Sequence, residues 1–309
     1  MSSFTNDGSG RPPNDHPHGE ILTPTGEHVA IPDSVSGPTS TEQPRQRRER
    51  SGWNPMGSPA TYALTAVNIA VFVVMVLHHV SPTLPESDDL VRWGANLGWG
   101  EYNGYFFSPA GTAFQGVFRG EWWRLITATF EHVGAIHLAT NMWCLWNLGL
   151  LGEPLLGPWG LVATYILTGV AGNLLSTAMH PTIVGAGASG AVFGIAGILI
   201  VLLSNKKLPI PWPELKKLRR SVIQFAILNL VIGLGTRFVH VGVSIDNNAH
   251  IGGCLCGLAL GVPLMPRMTF GRVKYLARQK VVFVAAAFIL ALAGYWLSSF
   301  TAGVVPHFN

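Results

Sequence analysis

Beyond about residue 55 the chain alternates long apolar runs with short polar connections. A membrane-spanning helix needs about 20 mainly apolar residues. The pattern predicts seven such helices, over 60–80, 134–152, 158–178, 187–204, 221–238, 248–265 and 281–299. The second and sixth runs are the least hydrophobic, and both contain histidine. Residues 1–55 differ in kind: they are polar, rich in Pro, Ser, Thr and Gly, and show no apolar periodicity. Such a segment buries too little surface to offset its ordering entropy and is expected to be disordered. The connection 81–133 is too long for a structureless loop. It carries Trp93, Trp99, Tyr102, Tyr105, Phe106, Phe107, Phe114, Phe118, Trp122 and Trp123. Trp and Tyr favour the membrane–water interface, so this loop is expected to lie on or in the outer leaflet.

Composition narrows the classes. Of 309 residues, 48% are hydrophobic and only 12% charged, against roughly 25% charged in soluble globular chains. Mean hydropathy is +0.34. A soluble enzyme, a disordered protein and a large nucleic-acid binder are all disfavoured. Cys144, Cys254 and Cys256 lie in apolar runs and form no disulfide framework. The net charge of +4 comes from clustered Lys and Arg. With the N-terminus in the cytoplasm, 16 of the 20 fall inside: five in the tail, six between spans four and five, and five between spans six and seven. Only Arg92, Arg119, Arg124 and Arg237 fall outside. This asymmetry sets the predicted topology. No apolar stretch follows Met1, and Asp7, Asp15, Glu20, Glu27 and Asp33 argue against a transit peptide. A multi-pass protein of a bacterial plasma membrane is therefore expected.

Polar groups inside a bilayer are costly and face protein or water-filled cavities. Span two opens with His132, His137 and Asn141. Span four opens with Gly185-Ala186-Gly187-Ala188-Ser189-Gly190, and span six with Asn247-Asn248-Ala249-His250-Ile251-Gly252-Gly253. All three spans run from outside to inside. At 1.5 Å per residue, His137, Ser189 and His250 share a depth just below the outer surface. Gly190 with Gly194, and Gly253 with Gly257 and Gly261, are small-residue pairs that let helix backbones approach closely. His137 and Asn141, four apart, share a helix face.

A serine hydroxyl becomes a useful nucleophile when a base removes its proton, and His250 is the best-placed base. The oxyanion that forms needs fixed donors, which His137, Asn141 and the Ser189 N–H supply. Asp246, four residues before His250, is better read as a helix cap than as a triad acid. Cys254 is read as a packing residue.

These residues in this order resemble the rhomboid family of intramembrane serine proteases. The match runs through Trp123-Arg124, His132, His137, Asn141, Gly187-Ala188-Ser189-Gly190 and Ala249-His250-Ile251-Gly252-Gly253, across about 60–265. The tail is not covered. The resemblance implies an all-α polytopic fold with a six-helix core and one added C-terminal helix. It divides the chain into a tail (1–55), a catalytic core (56–266, with the membrane-associated loop 81–133), and an inner loop, seventh helix and short outer tail (267–309). It implies a dyad of Ser189 as nucleophile and His250 as general base. His137, Asn141 and the Ser189 amide form the oxyanion hole. Gly187 matches the glycine beside the nucleophile, and Phe193 the aromatic that stacks on the catalytic histidine. Arg124 and Glu153 resemble structural anchors, and His132 a supporting histidine. The implied partners are transmembrane protein substrates and the lipid bilayer, with no nucleic acid, no cofactor and no metal.

Three rivals stand beside that reading. A non-catalytic rhomboid-like binding protein would keep the fold. A transporter with a histidine proton relay would use the intramembrane His and Asn, although no paired carboxylates or two-half repeat are evident. A haem or metal protein would use His132, His137 and His250 as ligands. Substrate identity, cleavage position and oligomeric state are not encoded legibly.

Overall fold

A computed structural model describes residues 21–22, 28–29, 57–99, 106–107, 113–236, 246–265 and 271–302. The chain divides into two units, Met1–Gly52 and Trp53–Asn309. In the first unit, β1 (Ile21–Leu22) pairs antiparallel with β2 (His28–Val29). The rest of the tail expected to be disordered, its arginine cluster, Tyr102, Tyr105 and Arg237 lie outside the described residues.

The second unit is helical. Its long helices are α1 (Pro59–Leu77), α4 (Ala135–Leu156), α5 (Pro158–Met179), α6 (Ser189–Leu202), α7 (Trp212–Thr236), α8 (Asn247–Leu264) and α9 (Arg272–Ala302). Each corresponds to one predicted span. The long connection before α4 folds as α2 (Ser87–Trp93), a two-residue hairpin of β3 (Phe106–Phe107) and β4 (Ala113–Phe114), a 3-10 turn (Val117–Arg119) and α3 (Arg124–Thr127).

Helix ends follow local chemistry. Pro59 and Pro158 open α1 and α5 in the first turn, where a missing N–H costs nothing. The break between α4 and α5 is at Gly157, whose φ of +76° suits glycine. Two helices are longer than their apolar runs. The helix α7 begins at Trp212, nine residues before the predicted span, because a first-turn Glu214 and the Lys/Arg-rich turns after it are good helix formers. The helix α9 begins just after Gly271, which has φ +97°.

Among the described residues, four helices, α1, α5, α7 and α9, are long and apolar enough to cross a membrane. The helix α6 is apolar but has only 14 residues. The helices α4 and α8 fall short in apolarity. The three that fail carry His137, Asn141, Ser189 and His250. Of the seven long helices, α6 is the one the fold shields most. In α6, every residue from Gly190 to Leu199 is buried, and α8, α5, α4 and α7 surround it. Leu145, Leu156, Leu161, Tyr165, Ile195, Ile198, Leu199 and Leu202 form the centre of the core. Outward faces are apolar: Val73 and Leu77 on α1, Ile227, Leu228 and Val231 on α7, and Val284, Phe288 and Ile289 on α9. Apolar surface of that extent needs a lipid surround. The chain is an integral membrane protein.

Candidate active site

The helices α6 and α8 meet backbone to backbone. A Cβ added at Gly253 would collide with the Gly190 carbonyl, and one at Gly257 with the Gly194 carbonyl. A Cβ at Gly190 would meet the Ala249 carbonyl at 3.3 Å. Ser189 and His250 are the neighbours of Gly190 and Ala249, so they stand at the facing starts of the two helices. One turn into α6, the Phe193 ring stacks on the His250 imidazole at 4.2 Å, with 10° between planes. His250 is buried, whereas Ser189 is only partly so. Ser189 and His250 make no direct hydrogen bond. Such bonds are commonly long before substrate binds.

The segment before Ser189 is fixed on both sides. Asn96 and Gly185 exchange backbone bonds of 2.8 and 2.9 Å. Gly187 N–H donates to the Ala128 carbonyl at 2.9 Å. Beside that acceptor, the Tyr165 hydroxyl donates to the Thr129 carbonyl at 2.7 Å. Gly187 has φ +147°, and a Cβ there would meet His137 Cε1 at 2.7 Å. Glycine is therefore required for conformation and for space. It lets the His137 ring lie against the turn into α6.

His137 Nδ1 accepts the Val133 N–H at 3.3 Å, so the ring proton resides on Nε2. That nitrogen is 3.2 Å from the position of a Gly187 Cβ. Asn141 is buried, and its Nδ2 donates to the His137 carbonyl at 2.9 Å, leaving its second N–H. The first hydrogen bond of α6 runs from Val192 N–H to Ala188 O. The Ser189 N–H thus belongs to the orphan donors of the helix start. His132 packs edge-on against His137 at 5.3 Å. Burial, then the neighbouring His137, lowers its pKa to about 3, so it is neutral. Beside it, burial raises Glu131 well above the usual carboxylate range, opposed by Arg124.

Asp246 settles into a structural place. Its Oδ1 accepts Asn248 N–H at 3.0 Å and Ala249 N–H at 3.1 Å, capping α8. Its Oδ2 accepts the Ser176 hydroxyl. Neither oxygen bonds the His250 ring, and among the described residues His250 Nδ1 has no hydrogen-bond partner. Ser176 was not legible as a site neighbour. Its signal is the polar stripe Thr164, Thr168, Asn173, Ser176 and Thr177 along α5, all buried. Glu131 carries no such signal, since an isolated acid before a histidine forms no pattern.

Two predicted residues stand apart from Ser189. Arg124 is buried in the first loop. Its Nε donates to Glu121 at 2.7 Å, and its Nη1 to the Val91 and Ala95 carbonyls at 2.6 and 3.2 Å. Its guanidinium lies 4.6 Å from the Trp123 ring centroid. Glu153 lies at the other end of α4 and accepts Ala60 N–H, Thr61 N–H and the Thr61 hydroxyl at 2.7–2.9 Å. Among the described residues, no three His, Cys, Asp or Glu side chains gather as a metal site would require.

Comparison with known proteins places these residues in a family. Residues 119–267 match the family model of the Rhomboid domain. The chain is 32% identical to Rhomboid protease GluP of Bacillus subtilis, over 72% of this chain and 39% of that protein. It therefore spans well under half the length of that relative. It is 28% identical to Rhomboid protease AarA of Providencia stuartii, over 65% of this chain and 71% of the other. With RHOMBOID-like protein 2 of Arabidopsis thaliana it shares 28% identity, over 74% and 77% of the two chains. A polytopic helical fold, a matching domain and relatives named as proteases together make this chain a member of the rhomboid family.

Proposed function

We propose that the protein is an intramembrane serine endopeptidase that hydrolyses peptide bonds within or beside transmembrane segments of other membrane proteins. The observation that carries this reading is the Phe193–His250 stack one turn beyond Ser189. It supports an imidazole and a hydroxyl facing each other at the starts of two helices in backbone contact.

His250 takes the Ser189 proton as Oγ attacks the scissile carbonyl. The tetrahedral oxyanion accepts from the Ser189 N–H, from Asn141 Nδ2 and from His137 Nε2–H, with the α6 N-terminus adding partial positive charge. His250 then protonates the leaving amine as the C–N bond breaks. Water, deprotonated by the same imidazole, attacks the acyl ester and returns Ser189 to its resting form. No carboxylate completes a triad, consistent with Asp246 being engaged elsewhere. Gly187 and His132 hold His137 in place. Arg124 orders the first loop, and Glu153 ties α4 to α1.

A substrate helix must partly unwind to present its peptide bond, since helical backbone is internally bonded. Entry beside α7 is supported by that helix being the least buried of those packed on α6. Substrates would favour small or helix-destabilising residues near the cut. The proposed setting is a bacterial plasma membrane with the N-terminus cytoplasmic. The proposed organisation is a tail (1–55), a catalytic core (56–266) and an appended seventh helix (267–309).

Labelling by a fluorophosphonate serine probe, with Ser189→Ala and His250→Ala as controls, tests the dyad. The expected result is labelling of the wild type alone, together with cleavage of a reconstituted transmembrane substrate. A folded wild-type protein that neither labels nor cleaves would instead favour the non-catalytic binding reading.

A further inference from the structure

The connection between α6 and α7 holds a group of cations with no part in proteolysis. From Ser204 to Arg220 the chain carries six basic residues and one acid, Glu214. Three of the six converge on one indole. Lys206 Nζ lies 5.1 Å, Lys216 Nζ 6.0 Å and the Arg219 guanidinium 5.9 Å from the Trp212 ring centroid. No two of these charges are therefore more than about 12 Å apart. Arg219 is held there, since its Nη1 donates to Ser204 Oγ at 3.0 Å. The described ion pairs, Arg92–Asp88 and Arg124–Glu121, involve none of the three.

Like charges gathered round one ring repel, with a screening length of about 8 Å at physiological salt. A ring quadrupole offsets that only weakly at an exposed site. An anion placed among them would remove the repulsion. The position also specifies the kind of anion. Trp212 is half-buried at the first residue of α7, and Leu208 and Ile210 beside it pack on the core. An amphipathic indole at the end of a spanning helix sits at headgroup level.

We propose that Lys206, Lys216, Arg219 and Trp212 form a binding site for the phosphate headgroup of an anionic phospholipid in the leaflet bordering the α6–α7 connection. Arg219 supplies planar donors to the phosphodiester, and the two lysines complete the charge. The bound lipid would brace the end of α6 opposite Ser189. This inference does not depend on proteolysis, and its test reads lipid binding alone.

The full-length protein in neutral detergent is titrated with phosphatidylglycerol and observed by native mass spectrometry. Two variants of equal charge are compared, Lys206→Gln/Lys216→Gln/Arg219→Gln and Lys207→Gln/Lys217→Gln/Arg220→Gln. The first is expected to weaken the tightest lipid adduct on the order of 10²-fold, and the second to retain it. Equal weakening by both would show diffuse attraction and overturn the site, as would no weakening by either. Inorganic phosphate is the second arm. Displacement of the lipid by free phosphate at comparable concentration would overturn the lipid assignment. If the first triple variant fails to fold, Lys206→Gln/Lys216→Gln, which removes no hydrogen bond, is expected to lower affinity in the same direction, and unchanged affinity would overturn the proposal.

Discussion

The imidazole of His250 and the ring of Phe193 lie almost parallel, 4.2 Å apart, although they belong to different helices. The stack fixes the plane of a ring whose Nδ1 has no hydrogen bond among the described residues to orient it. Aromatic pairs contribute roughly 0.5–1.5 kcal/mol beyond area burial. Phe193→Leu should therefore lower kcat up to about tenfold, while Phe193→Tyr keeps most activity. Steady-state cleavage of a transmembrane substrate checks this, and equal rates for Leu and Phe would remove the orienting role.

Asn141→Ala should lower kcat by about 10²–10³ with little change in KM, the signature of a lost oxyanion donor. A rise in KM alone would assign Asn141 to ground-state binding.

Asp246 separates two roles cleanly. As the cap of α8, it is replaceable by Asn, which accepts the same backbone N–H groups, whereas Ala costs about 1 kcal/mol of stability. As a triad acid, its change to Asn would cost about 10⁴ in kcat. Near-normal turnover of Asp246→Asn with a lowered melting temperature for Asp246→Ala is the expected pair of results.

Gly253→Ala places a methyl group against the Gly190 carbonyl. Overpacking of this kind typically costs about 1–3 kcal/mol. It should also part Ser189 from His250, so activity measured below the melting transition should fall as well. Full activity with unchanged stability would mean that the helices are less tightly apposed.

Glu131 makes stability depend on pH. Its buried carboxyl, with no hydrogen bond to either oxygen among the described residues, titrates well above its ordinary value of 4.5. Above pH 4.5 the unfolded chain has released that proton while the native protein keeps it. The native state then binds more protons, so stability falls as pH rises through this window, by up to about 1.4 kcal/mol per pH unit. Glu131→Gln should flatten that decline and match the wild type in acid. His132, neutral in the native state down to about pH 3, gives the opposite slope on the acid side in both proteins. Thermal unfolding of the two proteins across pH checks the difference.

The seven helices were legible because lipid demands long apolar runs, and polar exceptions such as His137 and His250 stood out against them. Glycine spacing at Gly190, Gly194, Gly253 and Gly257 foretold the α6–α8 contact, since small residues four apart make a flat strip. What escaped was non-local. Ser176 meets Asp246 from 70 residues away, and a serine near a helix end looks the same whether bonded or not. The helix α7 begins nine residues before its apolar run because charge ends an apolar run without ending a helix.

The brevity of α6 has its own consequence. Fourteen residues rise about 21 Å, against a hydrocarbon layer of about 30 Å. If its lower end is level with its neighbours, Ser189 begins roughly 9 Å beneath the surface. On that footing the protein acquires a dimple by omission, its central pillar falling about 1.7 turns short. Extending that pillar outward would fill the hollow and tie the Ser189 N–H into the helix's own hydrogen bonds.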